Sequence, residues 1–372
     1  MNIDLLLIRE YMYKIIISLF VLSIFSISSS AANTTNKTVV NLQDDGFIYT
    51  PSKIVESFDV SYPASANRNR TEGFYDIAYD VSEEGKAINV RFTRVTGVDI
   101  FESLMEISLD KWEFTPATFN GEPIAQQNLR HSYSFYLTKL ANKYPEPLMR
   151  RNFATVYKQI LEHLKKDEVE KAGELLVLME SASVVRFSEN RRLALANYSY
   201  LNKVDGTVQD KILALERALK DHPRTESTEK LHSRIMSNLF KLYVENKQYY
   251  QAFIQHYYLS QLEFSADLLD DLAPLLNHAQ AQLSSGEPIS TSVKIDSSEL
   301  FTQYLARPSF SIEADQKITY AELLCGDFNV KIDYSPNTVY DTPVNWEDCQ
   351  LLIGAPEGSL VRISEARSLS EL

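Results

Sequence analysis

Residues 73–93 read Gly-Phe-Tyr-Asp-Ile-Ala-Tyr-Asp-Val-Ser-Glu-Glu-Gly-Lys-Ala-Ile-Asn-Val-Arg-Phe-Thr. Tyr75, Ile77, Tyr79 and Val81 alternate with Asp76, Ala78 and Asp80, which is the period of a strand with one face buried. After Ser82–Lys86 the alternation resumes with Ile88, Val90 and Phe92 against Asn89, Arg91 and Thr93. Two such runs joined by a short turn containing Gly85 predict a β-hairpin. Downstream, Asp99 followed by Glu102 has the spacing of a capping box. Phe101, Leu104, Met105, Ser108 and Trp112 then fall on one helical face. Tyr133, Phe135 and Leu137 alternate again, so the predicted order is strand, strand, helix, strand.

Beyond this unit the period changes. Seven segments with helical spacing, 147–165, 168–182, 186–202, 208–221, 227–246, 248–262 and 265–283, predict stacked helical hairpins over 145–283. Ala172 and Ala252 sit in similar local frames, where a small residue lets paired helices approach closely. Ser284–Pro288 is rich in turn formers and marks a boundary. Past it, Thr291, Val293 and Ile295, then Phe328, Val330 and Ile332, then Leu351 and Ile353 give short strands over 290–367. The expected fold class is therefore multidomain α+β.

The N-terminus bears on location. The apolar run Ile15–Ile27 follows Arg9 and Lys14 and is followed by Ser28-Ser29-Ser30-Ala31-Ala32, the layout of a signal peptide over 1–31. A retained inner-membrane anchor is the alternative, although the run is short of the ~20 residues that span a bilayer comfortably. Residues 32–57 are expected to be a polar lead, flexible at its start. Export places the chain in an oxidising compartment, where Cys325 and Cys349, its two cysteines, are expected to pair. Closing that loop contributes roughly 3 kcal/mol.

Composition narrows the function. A net charge of -13 argues against a protein that tracks nucleic-acid phosphates. The six histidines show no metal spacing, and no phosphate-binding loop, nucleophile elbow or dinucleotide fingerprint occurs. Asp267, Asp270 and Asp271 read as a solvated helix N-terminus. The expectation is a non-enzymatic protein with no metal and no cofactor.

Over 58–140 the chain resembles the C-terminal domain of TonB-family proteins. The residues that carry the resemblance are Tyr62-Pro63, Gly73, Gly85, Lys111-Trp112-Glu113-Phe114 with Pro116, Gly121, and the strand that reaches Tyr136. The resemblance implies an α/β domain that binds a segment of an outer-membrane receptor by adding a strand to a sheet edge. Carried over, the edge is Gln127–Leu137, with Gln127, Arg130, Tyr133 and Phe135 as partner-binding residues and Tyr62 and Pro63 shaping the approach. Two departures stand out. Val60 and Ser61 occupy the place of the family's Gln-Pro, and roughly 30 residues replace the transducers' long Pro-rich spacer. The helical part is similar to tetratricopeptide repeats, most clearly at Leu239-Phe240, Tyr243, Tyr249 and Ala252, and adds Tyr250 and Tyr257 as candidate peptide-contacting rings.

The expected function is a periplasmic interaction or scaffold protein of a Gram-negative bacterium, binding a protein or peptide partner and no nucleic acid. It would touch the membrane only if the N-terminal segment is kept. The alternative is an inner-membrane-anchored TonB-type energy transducer serving outer-membrane receptors.

Overall fold

A computed structural model describes residues 38–42, 49–58, 60–119, 121–135, 137, 149–181, 186–219, 226–295, 300–325, 328–343 and 349–367. The signal peptide or anchor expected over 1–31 lies outside the described residues. The chain divides into two compact units: 46–235 with 327–329, and 1–45 with 236–326 and 330–372. The first strand, β1 (Thr38–Asn41), belongs to the second unit.

In the first unit, β2 (Tyr49–Thr50), β3 (Lys53–Glu56) and the short helix α1 (Ala64–Asn69) precede the hairpin of β4 (Gly73–Val81) and β5 (Ala87–Thr96). Helix α2 (Asp99–Leu109) follows, then β6 (Glu113–Thr115), β7 (Ala117–Phe119), β8 (Glu122–Ile124) and β9 (Gln126–Phe135). The main sheet runs β5-β4-β9, both pairs antiparallel. Helix α2 lays Phe101, Met105 and Leu109 into one cluster with Tyr75, Ile77, Tyr79, Val81, Trp112 and Phe135. The expected helical face is thus the buried one. The expected capping box is not formed: Val98 holds the N-cap position without a side-chain bond, and Asp99 and Glu102 sit in the first turn, where the helix dipole favours their charge.

Gly85 is required by its turn. Its φ is 75°, and a Cβ there would lie 2.2 Å from the carbonyl oxygen of Phe114. That approach lets the Gly85 carbonyl accept from the Phe114 amide at 3.2 Å, clipping the hairpin turn to β6. Residues expected as a polar lead are built into the fold: β2 pairs with β7, and β3 pairs with β6.

The helices are α3 (Arg151–Lys165), α4 (Val169–Ser181), α5 (Phe187–Lys203), α6 (Val208–Leu219), α7 (Glu226–Glu245), α8 (Tyr249–Ser260) and α9 (Ala266–Ser284). Each of the seven predicted segments contains one of these helices. Their links repeat one device. Asp167, Asp205 and Lys247 take φ of 57°, 49° and 59°, and the amides of Glu168, Gly206 and Gln248 donate to the carbonyls of His163, Leu201 and Tyr243 at 3.0, 2.8 and 2.8 Å. This is the six-to-one closure of a Schellman turn, used after α3, α5 and α7. The helices thus come as hairpins α3/α4, α5/α6 and α7/α8. Ala172 and Ala252, each five residues past its left-handed residue, are fully buried.

The strands beyond the helices are β10 (Ile289–Lys294), β11 (Leu300–Tyr304), β12 (Ser309–Ala314), β13 (Tyr320–Cys325), β14 (Phe328–Lys331), β15 (Thr338–Asp341), β16 (Cys349–Gly354) and β17 (Leu360–Ala366), all in the second unit except the start of β14. They form two sheets, ordered β1-β15-β12-β17-β10 and β11-β16-β13-β14. In β10, Ile289, Thr291 and Val293 are buried and the residues between them exposed, as the alternation predicts. Cys325 and Cys349 face each other across β13 and β16 and are disulfide-bonded. Replacing both by serine is expected to remove about 3 kcal/mol, since the bridge closes a loop spanning 24 positions in the unfolded chain. Denaturant titration of oxidised and reduced protein measures it, and the serine pair should match the reduced wild type. The lead expected to be flexible also corrects here: β1 pairs in parallel with β15.

Candidate functional site: an open strand edge

Strand β9 ends its sheet. It pairs with β4 on one side, and among the described residues no strand pairs with the other. Register places Tyr133 opposite Tyr75, Arg130 opposite Ala78 and Phe135 opposite Gly73, with a break between Tyr79 and Val81 in which Gln127 falls. Successive residues point to opposite faces. One face carries Leu129, His131, Tyr133 and Phe135, backed by α2 and Trp112. The other carries Arg130, Ser132 and Ser134, with the Ser132 hydroxyl donating to Asp76 Oδ1 at 2.7 Å.

The α2-side face of the edge is an aromatic shelf. The Trp112 ring lies 5.1 Å from His131 and 6.2 Å from Tyr133, and His131 and Tyr133 lie 5.1 Å apart. Trp112 is buried, while His131 and Tyr133 are half-buried, so the shelf has a fixed base and a reachable rim. Burial holds the His131 imidazole below its ordinary range, which keeps the rim neutral at pH 7. Tyr79 beneath it is pushed up to about 12 by burial, with Tyr133 adding to the shift.

Of the predicted residues, Arg130 and Tyr133 stand on the accessible edge. Phe135 and Tyr62 serve beneath it. Phe135 stacks on Phe101 at 4.3 Å, and Tyr62 meets both rings edge-on at 6.3 and 5.7 Å. The Tyr62 hydroxyl donates to the Thr71 carbonyl, and Pro63 sets the extended N-cap of α1. Tyr250 and Tyr257 belong to the second unit and are buried, Tyr250 stacked on Tyr304 at 5.0 Å. They pack the unit rather than line a groove.

Glu72 carries a role that the sequence pattern did not reveal. Its carboxylate accepts from the Leu137 amide just past β9 at 3.4 Å and from the Phe187 amide that opens α5 at 3.1 Å. Phe74 meets Phe187 edge-on at 6.4 Å. The end of the open strand is therefore tied to the start of a helical hairpin through one half-buried carboxylate. Burial raises its pKa above the ordinary range, against the lowering effect of the two amides and Arg186. A Glu ahead of a glycine in a loop gives no local signal of this. Beside it, Glu189 is buried and accepts from the Arg150 amide at 2.8 Å and from its guanidinium at 2.9–3.1 Å.

Among the described residues no group of acidic, histidine or cysteine side chains is placed to hold a metal ion. Among them, too, no helix is long and apolar enough to cross a membrane.

Strand β9 is thus an open antiparallel edge beside a helix-backed aromatic shelf. Comparison with known proteins bears on this part of the chain. Residues 59–137 match the family described as Gram-negative bacterial TonB protein C-terminal. Among solved structures, the solution NMR structure of the Pseudomonas aeruginosa TonB C-terminal domain matches with 19% identity. The match covers 26% of this chain and 93% of that one, at a TM-score of 0.20. No curated protein matches the chain. Residues 59–137 are thus a TonB-type C-terminal domain, within a multidomain α+β chain.

Proposed function

We propose that this chain is a periplasmic interaction protein of the TonB type, which docks an extended peptide by strand addition along β9. The observation that carries the reading is that edge: main-chain groups turned outward beside the Trp112–His131–Tyr133 shelf. Main-chain pairing supplies affinity, and the alternating faces supply selectivity. The favoured partner strand places apolar residues against His131 and Tyr133 and polar residues against Arg130 and Ser132. A receptor segment of the kind bound by TonB proteins has the required extended form. The hairpins α3/α4 and α5/α6 of the first unit, with their repeated Schellman turns, resemble tetratricopeptide units and present a surface for a second protein partner. The protein acts without catalysis or cofactor. The short link between Ile27 and the domain favours an adaptor over an envelope-spanning energy transducer.

The test is to titrate the mature protein with a synthetic TonB-box peptide and follow amide exchange. Binding is expected to protect residues 126–135, and Tyr133→Ala is expected to weaken it about tenfold. Protection appearing elsewhere, with 126–135 unchanged, would count against β9 as the docking edge.

A further inference from the structure

The chain's first described strand is an unusual member of its sheet. β1 lies at the edge, parallel to β15, with Thr38, Val39, Val40 and Asn41 opposite Thr338, Val339, Tyr340 and Asp341. The two strands are about 300 positions apart in a chain of 372 residues.

Donor and acceptor differ in how firmly each is held. β15 stands without β1. Its other side pairs with β12, the Ser309 hydroxyl donates to Asp341 Oδ1 at 2.6 Å, and the Thr342 amide donates to the Pro308 carbonyl at 3.0 Å. Thr338, Val339 and Tyr340 are buried, and Tyr340 stacks on Phe310 at 5.4 Å and donates to the Asp333 carbonyl. β1 buries little. Val39 and Val40 are adjacent, so they point to opposite faces, yet they are 49% and 38% exposed. β1 is held by its main-chain pairing and by an anchor after it. Leu42 is buried, and its amide donates to the Asp341 carbonyl at 2.9 Å. A strand whose two valines both face solvent gains little register from side-chain burial and is more readily exchanged.

From this asymmetry we infer that β1 is a self-docked strand. It is a releasable clasp that covers the preformed β15 edge and ties the chain's N-terminal segment to the C-terminal β domain. The occupant is this chain's own Thr38–Leu42, docked in cis. The clasp hides an edge whose unpaired groups would otherwise invite foreign strands. It also sets a reach. Ten residues, 28–37, separate the apolar run from β1, so the β15 edge lies within about 35 Å of wherever that run is held. The domain tethered to the N-terminal segment is therefore the C-terminal one, and not the TonB-type domain that follows β1 in sequence. This holds whether or not β9 docks a peptide.

Hydrogen exchange of the mature chain tests it, comparing wild type with Leu42→Asp and with a variant whose residues 38–42 are replaced by Gly and Ser. In both variants the half of the β15 amides turned toward β1, about two, should exchange roughly a hundredfold faster. Residues 309–314 and 360–366 should stay as protected as in wild type. An excess of the peptide Lys-Thr-Val-Val-Asn-Leu-Gln-Asp, residues 37–44, should restore protection. Unchanged β15 exchange in both variants overturns the pairing. Collapse of protection across the whole sheet overturns release, because β1 would then be part of the fold's core. Protection that rises with protein concentration, together with a dimeric mass, overturns docking in cis.

Discussion

Trp112→Ala is expected to cost the TonB-type domain roughly 3–5 kcal/mol, the range for deleting a large ring from a packed core. Trp112 is one of the largest fully buried side chains and meets Phe114, His131 and Tyr133. Its indole Nε1 also donates to the Phe58 carbonyl at 3.4 Å, beside the Ser108 hydroxyl that donates to the same oxygen. One residue therefore packs the core, holds the segment after β3 against α2, and supports the rim of the β9 edge. Urea unfolding followed by exchange of β4 and β9 amides reads the loss, and peptide docking should disappear with it. Trp112→Phe separates the contributions. It keeps a ring in the site while removing the donor, so it is expected to cost less than half as much. Equal losses from the two variants would mean that the indole bond, and not the packing, carries the site.

How much of this was readable without the structure depends on the range of the interactions. The β4/β5 hairpin, α2 and β9 announce themselves because each element's period places one face inward, and the seven helices do so for the same reason. The open edge was legible as a strand, and its openness followed from the family resemblance. What escaped has no local period. β1 exposes Val39 and Val40 on both faces and finds its partner near residue 338, so it reads as a polar lead. Glu72 looks like a loop carboxylate, and only three-dimensional neighbours show that it joins the end of β9 to the first amide of α5. The tyrosines near 250 misled through composition. Aromatic density suits a binding surface and a packed interior equally, and the stacking of Tyr250 on Tyr304 puts that ring in the interior. The Asp99 capping signal failed by one residue, because the helix starts at Asp99 itself and leaves Val98 in the cap position.

Glu365→Ala should be of similar size, about 3–5 kcal/mol, and it is felt in the second unit. Glu365 is a buried carboxylate on β17 with three donors: Gln303 Nε2 at 2.9 Å, the Ala306 amide at 2.6 Å and the Arg307 amide at 3.2 Å. Truncation takes the acceptor from all three, and a buried donor left without a partner costs about 1–3 kcal/mol. The charge of the neighbouring Arg307 favours the ionised carboxylate. Its guanidinium donates to the carbonyls of Gln282 and Ser285 at 2.9 and 3.0 Å, and to that of Glu287, at and just beyond the end of α9. Burial therefore outweighs the donors and the arginine, and pushes the Glu365 carboxyl up to about 7. A carboxyl raised in the folded state binds its proton more tightly there than when unfolded. Its contribution is fully present below pH 4.5 and is lost as pH rises through about 7. The rise from 4.5 to about 7 corresponds to roughly 3 kcal/mol between those limits. Glu365→Gln keeps the volume and removes the titration. Stability followed from pH 5 to pH 8 through exchange of the β17 amides should fall in wild type and fall less in Glu365→Gln, and the difference between the two curves belongs to this carboxyl. Parallel curves would place the titration on another group and leave Glu365 an ordinary ionised acceptor whose three donors fully offset its burial.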